Sequence, residues 1–123
     1  MGCANLGVKN TEDEALGLLD AYAARGGNFI DTARVYSNWV PGEMNRSERI
    51  IGDWMADRKN RDDVILATKG GHPVLGTTGS RLSPERISDD LLGSLETLRV
   101  EHVDLYWLHR DDPACPVGSI LEA

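Results

Sequence analysis

Residues 64–98, VILATKGGHPVLGTTGSRLSPERISDDLLGSLETL, decide the fold. They open on Val64-Ile65-Leu66-Ala67-Thr68-Lys69, an apolar, β-branched run without polar alternation. Such a run is expected of a strand buried on both faces, as in a parallel sheet covered by helices. Ser83-Pro84-Glu85 then opens a helix, because a serine hydroxyl caps free N–H groups and proline suits the first helical position. Ile87, Leu91, Leu95 and Leu98 recur at helical spacing and give it one apolar stripe. The glycine-rich segment Gly70–Leu82 between them is long enough to read as a functional or mobile loop.

The same alternation extends in both directions. Upstream, Thr11 and Glu14 form a capping box that starts a helix carrying Ala15, Leu18, Leu19, Tyr22 and Ala23. Gly26-Gly27 stops it, and Asn28-Phe29-Ile30-Asp31 reads as a short buried strand. A loop from Thr32 to Met44, marked by Pro41-Gly42, leads to a second helix. Asn45 and Glu48 are its expected cap pair, Ile50, Ile51, Trp54 and Met55 its apolar face, and Arg58 its end. Downstream, Val103–His109 is the next strand, and Val117–Ala123 reads as the first turns of another helix. With an opening strand over Met1–Leu6, the order is strand–helix four times, the last helix cut short. This is an α/β chain of parallel β/α units. Right-handed crossovers leave an open doubly wound sheet or part of a (β/α)8 barrel.

Composition narrows the function. The chain has 123 residues, 41% apolar and 27% charged, which fits one folded domain at most. Thirteen basic against twenty acidic residues give a formal net charge of −7, which disfavours nucleic acid and anionic membrane surfaces as partners. No run approaches the ~20 apolar residues of a membrane span, and no leader pattern opens the sequence. Cys3 and Cys115 lack metal or redox spacing and read as free thiols, so a cytoplasmic protein is expected.

Three strands end in an ionisable residue: Asp31, Lys69 and His109. In parallel α/β folds ligands bind at the carboxyl ends of strands, so these side chains should share one mouth. Tyr36 lies five residues beyond Asp31, in the loop over that mouth. A phenol is a weak acid, but a nearby ammonium favours its phenolate, and a carboxylate keeps that ammonium charged and in place. Asp31, Lys69 and Tyr36 can thus form a proton relay, with His109 hydrogen-bonding a substrate oxygen. That suits protonation of a carbonyl oxygen while its carbon is attacked. None of the four donates hydride, so a reduction would require a nicotinamide cofactor.

Asp31-Thr32-Ala33-x-x-Tyr36, Ser47-Glu48-x-x-Ile51-Gly52, Ala67-Thr68-Lys69 and Val103-Asp104-Leu105-Tyr106-x-Leu108-His109 together resemble the aldo-keto reductases. Gly26-Gly27-Asn28-Phe29-Ile30, leading into Asp31, belongs to the same pattern. The resemblance implies a (β/α)8 barrel enzyme that reduces aldehydes and ketones with NADPH. It further implies Tyr36 as general acid and base, Lys69 and Asp31 as its tuning partners, and His109 as the group that orients substrate. Gly2, Cys3 and Ala4 would then lie near the nicotinamide with Asp31, although Cys3 and Ala4 depart from the family's usual residues there.

Other residues carry weaker expectations. Trp39 would wall the substrate pocket or simply pack in its loop. His72-Pro73 would rim the site or form a turn, the turn being the plainer reading. His102 is expected to face solvent, and Trp54 and Trp107 to fill the packing between helices and sheet. The polar Asn38, Asn45 and Arg46 region would suit a hydroxylated substrate such as a sugar aldehyde. No second histidine lies at ligand spacing from His109, Asp111 and Asp112, so no metal is expected. G-x-G-x-x-G is absent, which weakens an open dinucleotide fold.

A (β/α)8 barrel typically needs about 250 residues. Residues 1–123 are therefore expected to be the N-terminal half of such a domain, with the remaining cofactor surface on a later half. Open strand edges would favour self-association of a half-barrel. A non-catalytic nucleotide-binding subunit of the same fold, or an inactive fragment, are the alternatives to an enzyme.

Overall fold

The computed structural model describes residues 1–121. Its elements are α1 (Glu12–Ala23), β1 (Phe29–Asp31), α2 (Arg46–Arg58), β2 (Ile65–Gly70), α3 (Pro84–Leu98), β3 (Leu105–Leu108) and the short α4 (Val117–Leu121), with a 3-10 turn at Arg61–Asp63. The expected last helix runs to Leu121, and its remaining two positions lie outside the described residues. The strands form one parallel sheet in the order β1-β2-β3, aligned so that Asp31 pairs with Ala67 and Lys69 with Trp107.

Local chemistry explains the helix starts. At α1 the Thr11 hydroxyl accepts from the Glu14 N–H at 3.3 Å, and the Glu14 carboxylate accepts from the Thr11 N–H at 2.8 Å. Both halves of the expected capping box are therefore made. The Ser83 hydroxyl likewise caps α3 through the Arg86 N–H, with Pro84 in the first turn. The expected cap pair of α2 is not formed. Asn45 sits at the N-cap in a left-handed conformation, φ 57°, and makes no side-chain cap. Its side chain accepts from Asn38 instead, and Glu48 turns inward, fully buried.

The expected strand Met1–Leu6 shortens to a single parallel bridge between Gly2 and Asp31. Asp31 N–H donates to the Met1 carbonyl and Cys3 N–H to the Asp31 carbonyl, both at 2.9 Å. Beyond Cys3 the chain turns on itself: Leu6 N–H returns to the Cys3 carbonyl and Val8 N–H to the Asn5 carbonyl. Those turns consume the backbone groups that a longer ladder would need.

The core lies between the helices and one face of the sheet. Leu19, Ile30, Ile50, Ile51, Trp54, Leu66 and Leu98 are all at most 1% exposed. Leu66, Ala67 and Thr68 are buried in succession, as expected of a strand covered on both faces over that stretch. Gly52 lets α2 approach the end of α3, since a Cβ there would lie 2.8 Å from the Leu98 carbonyl oxygen. Trp54 fills the centre as expected, its indole N–H donating to Asp20 at 2.8 Å. Trp54→Ala should cost roughly 3–5 kcal/mol, the usual range for deleting a buried aromatic. Urea unfolding followed by circular dichroism checks this; a cost below about 1 kcal/mol would show that the helices pack without it.

Trp107 corrects the other packing expectation. Strand side chains alternate between faces, and the register sets Phe29, Ile65, Lys69 and Trp107 on the face opposite the helices. There Phe29 is 38%, Ile65 42% and Trp107 47% exposed. In a barrel this is the inward face, so Trp107 belongs to the interior layer rather than to helix packing. His102 is exposed, as expected. Both cysteines are free thiols, Cys3 buried and Cys115 half-buried. Among the described residues no helix is long and apolar enough to cross a membrane.

Candidate active site

Asp31 ends β1, Lys69 sits one residue before the end of β2, and His109 follows β3 directly. A parallel sheet necessarily brings these three ends to one rim. The ladder continues just past the strands, which fixes the loop bearing Tyr36. Thr32 N–H donates to the Ala67 carbonyl at 2.9 Å, Arg34 N–H to the Lys69 carbonyl at 3.1 Å, and Tyr36 N–H to the Ala33 carbonyl at 3.0 Å. Buried hydroxyls brace the same turn. Thr32 Oγ1 and Ser47 Oγ are 2.9 Å apart, Ser47 donates to the Cys3 carbonyl at 3.0 Å, and Ser37 to the Leu6 carbonyl at 2.9 Å.

All four expected chemical groups meet. Lys69 Nζ donates to Asp31 Oδ2 at 2.6 Å and to the Thr32 carbonyl at 2.7 Å. The same ammonium lies 4.7 Å from the centre of the Tyr36 ring. The Tyr36 and His109 rings stand perpendicular, with centroids 5.5 Å apart. The Lys69 ammonium thus stands between a carboxylate and an aromatic ring. Burial, with the neighbouring His72, Lys69 and Arg110, pushes His109 down to about 4, against a smaller opposing effect of Asp31. Its imidazole is therefore uncharged at neutral pH. An uncharged imidazole still carries one N–H and can donate it to an oxygen.

The residue before Lys69 is anchored from outside the sheet. Thr68 Oγ1 donates to Glu48 Oε1 at 2.6 Å, and both residues are fully buried. Burial raises the Glu48 carboxyl above the usual range, against the hydrogen bond from Thr68. Beside Lys69 opens a cleft of about 580 Å³, walled in part by Val35, Met44, His72, Val74 and Leu75.

Two further residues join the group, and only the second had been offered in the sequence, as the lesser alternative to a turn. The Thr32 carbonyl is the second acceptor for Lys69, a backbone role with no sequence signal. His72 packs against His109, with perpendicular rings 4.8 Å apart at their centroids. The plainer expectation of a mere turn is therefore corrected for His72. Its signal was its place: three residues after Lys69, where the chain leaves the carboxyl end of the strand.

Other expected site residues fall outside the group. Trp39 is 47% exposed and does not wall the cleft. Cys3 is 1% exposed within the hydrophobic core, and burial pushes its thiol up to about 12. Its side chain thus serves packing and does not face the mouth. Gly2 is exposed and Ala4 half-buried, alongside Asp31. The polar region expected to greet a sugar is occupied by its own contacts. Asn38 and Asn45 bond to each other, and Arg46 is held by Glu43 and the Gly7 carbonyl.

The Aldo/keto reductase family model matches residues 1–123. Among curated proteins, an aldo-keto reductase of Aspergillus calidoustus is 38% identical over 98% of this chain and 31% of its own length. Norsolorinic acid reductase B of Aspergillus parasiticus is 34% identical over the whole of this chain and 34% of its own. The chain therefore spans about a third of the length of these curated relatives. Among solved structures, the holo form of an aldo-keto reductase from Bacillus halodurans superposes with a TM-score of 0.79. It is 30% identical, over 99% of this chain and 39% of its own. The three parallel strands and their helices accordingly make up part of a (β/α) barrel. With the family pattern matched along its full length and the fold shared with a solved member over 99% of it, this chain belongs to the aldo/keto reductase family.

Proposed function

We propose that the protein carrying this chain reduces the carbonyl group of aldehydes or ketones to an alcohol, with NADPH as reductant and Tyr36 as proton donor. The observation that carries this reading is the placement of Lys69, bonded to Asp31 at 2.6 Å and 4.7 Å from the Tyr36 ring. The flank beside Asp31 suits a flat ring: Gly2 is exposed, and a Cβ built there would meet nothing within 4 Å. Gly2, Ala4 and Asp31 are the residues of this chain that would border the cofactor. When bound, NADPH supplies the hydride that a carbonyl carbon accepts. His109 holds the carbonyl oxygen through an imidazole N–H. Tyr36 delivers its phenolic proton to that oxygen, so the new alkoxide leaves as an alcohol. Lys69 stabilises the phenolate left behind, and Asp31 keeps the ammonium in position.

The cleft beside Lys69 sets the apolar Val35, Met44, Val74 and Leu75 beside the polar Arg34, Asn38, Asn45, Arg81 and Asp90, so its lining offers both kinds of contact. Names of relatives favour an aromatic compound as the substrate to try, one being an aryl-alcohol dehydrogenase of Pestalotiopsis microspora and another a norsolorinic acid reductase of Aspergillus parasiticus. The full-length protein mixed with NADPH and an aromatic aldehyde should consume both and yield the alcohol. A protein that binds NADPH yet oxidises none of it with any aldehyde or ketone would instead be a nucleotide-binding subunit.

Residues 1–123 expressed alone should neither turn over aldehyde nor bind NADPH at micromolar concentration. Positioning of the reacting groups contributes up to about 7–11 kcal/mol in well-oriented systems, and here the face bearing Phe29, Ile65 and Trp107 stands open. The same face and the β3 edge should drive self-association. Size-exclusion chromatography and fluorescence titration with NADPH test both points. A monodisperse monomer with micromolar affinity would contradict them.

A further inference from the structure

His109 is held in an unusual way. Its backbone N–H donates to the Gly70 carbonyl at 2.8 Å, but among the described residues its buried Nδ1 has no hydrogen-bond partner. A functional histidine commonly has its ring fixed by a hydrogen bond on the nitrogen that faces away from the reaction. With that bond missing, ring packing must set the orientation. Two aromatic rings provide it, Tyr36 at 5.5 Å and His72 at 4.8 Å, each perpendicular to the His109 plane within about a dozen degrees. A bare acceptor nitrogen is tolerated in the interior better than a bare N–H. The His109 hydrogen therefore belongs on Nε2.

His72 is itself fixed. Gly71 takes φ +76°, a left-handed conformation at the point where the chain leaves β2. The His72 Nδ1 then lies 2.6 Å from the Pro73 carbonyl oxygen. A carbonyl oxygen only accepts, so this nitrogen carries a hydrogen, and the bond pins the ring. Pro73 locks its own φ and lends that acceptor a rigid base.

We propose that His72 is a positioning residue for His109: its flat ring is the wall that fixes the His109 ring with Nε2 toward the substrate carbonyl oxygen. This rests on the reading of His109 as the group that orients substrate. The electrical surroundings agree with it. The titratable and charged groups that face His109 are His72, Lys69, Arg110, Asp31 and Tyr36, and with burial their sum keeps the ring uncharged down to about pH 4. A wall that excludes water maintains the largest of these effects, burial.

The test compares His72→Ala and His72→Phe with the wild type in the full-length protein. Two readouts are taken: kcat and KM for an aromatic aldehyde with NADPH, and titration of the His109 ring nitrogens by NMR on labelled protein. His72→Ala should lower kcat roughly 10–100-fold, the scale of a misoriented reacting group, with the KM for NADPH unchanged. It should also raise the His109 titration from about 4 toward the ordinary 6.5, as water reaches the ring. His72→Phe keeps the wall, so it should recover most of kcat and leave His109 titrating low. Wild-type kcat in His72→Ala would overturn the proposal. So would a His72→Phe variant as slow as His72→Ala, because the ring nitrogens rather than the wall would then matter. If the wild type reduces no carbonyl at all, the functional reading fails, yet the titration still decides the inference. An unchanged His109 titration in His72→Ala would then overturn it.

Discussion

Tyr36→Phe in the full-length protein should lose carbonyl reduction by about 10²–10⁴-fold, the usual scale for removing a general acid. In the proposed reaction the phenol is the proton donor of the group that meets at the sheet rim, with the Lys69 ammonium 4.7 Å from its ring and His109 perpendicular to it. Its partners leave no substitute. Lys69 is engaged with Asp31 and the Thr32 carbonyl, and His109 is uncharged with a single N–H to offer. The ring of phenylalanine keeps the packing against His109, so the loss should fall on kcat. NADPH binding, followed by fluorescence, should stay within about twofold, since the variant removes one hydroxyl at the substrate side. Near wild-type turnover in this variant would remove Tyr36 from the mechanism.

Lys69→Met should be nearly as damaging, about 10²-fold or more in kcat. Methionine keeps the length and the packing of the side chain and deletes only the charge. The carboxylate of Asp31 would then lose its cation, and the phenolate formed at Tyr36 would have no counter-charge. Asp31→Asn should be milder. Asparagine still offers an oxygen to the ammonium, and the Thr32 carbonyl at 2.7 Å holds Lys69 from the second side. Turnover separates the two: at saturating NADPH, Lys69→Met should lose most of kcat, while Asp31→Asn should keep the larger share of it. If Asp31→Asn proved the slower enzyme, the order of the relay from Asp31 through Lys69 to Tyr36 would be wrong.

The helices and strands were legible because each is written in local chemistry. The capping box Thr11–Glu14, the Ser83-Pro84 start and the apolar run Val64–Ala67 act over a few residues, and the structure keeps all three. The convergence of Asp31, Lys69 and His109 was legible for a topological reason: parallel strands point all their carboxyl ends the same way. Where local signals competed with distant partners they failed. Asn45 and Glu48 have the spacing of a cap pair, but the Asn38 amide claims the first and the Thr68 hydroxyl the second. The opening strand failed similarly, because turns after Cys3 satisfied its backbone within the segment.

What the sequence determined by itself is the parallel β/α order and the set of groups at the strand ends, since period, caps and strand direction are properties of neighbouring residues. Which of those groups touch, and how, was decided by tertiary structure. That Lys69 has a second acceptor in the Thr32 carbonyl, that Cys3 belongs to the core, and that Trp107 lies on the inward face each depend on the register of strands far apart in the chain. The placement of His72 against His109 depends on one left-handed glycine and on two loops that meet only when β2 and β3 pair. Spacing along the chain carries no record of that meeting, because a contact between residues 37 positions apart is fixed by the sheet that aligns them.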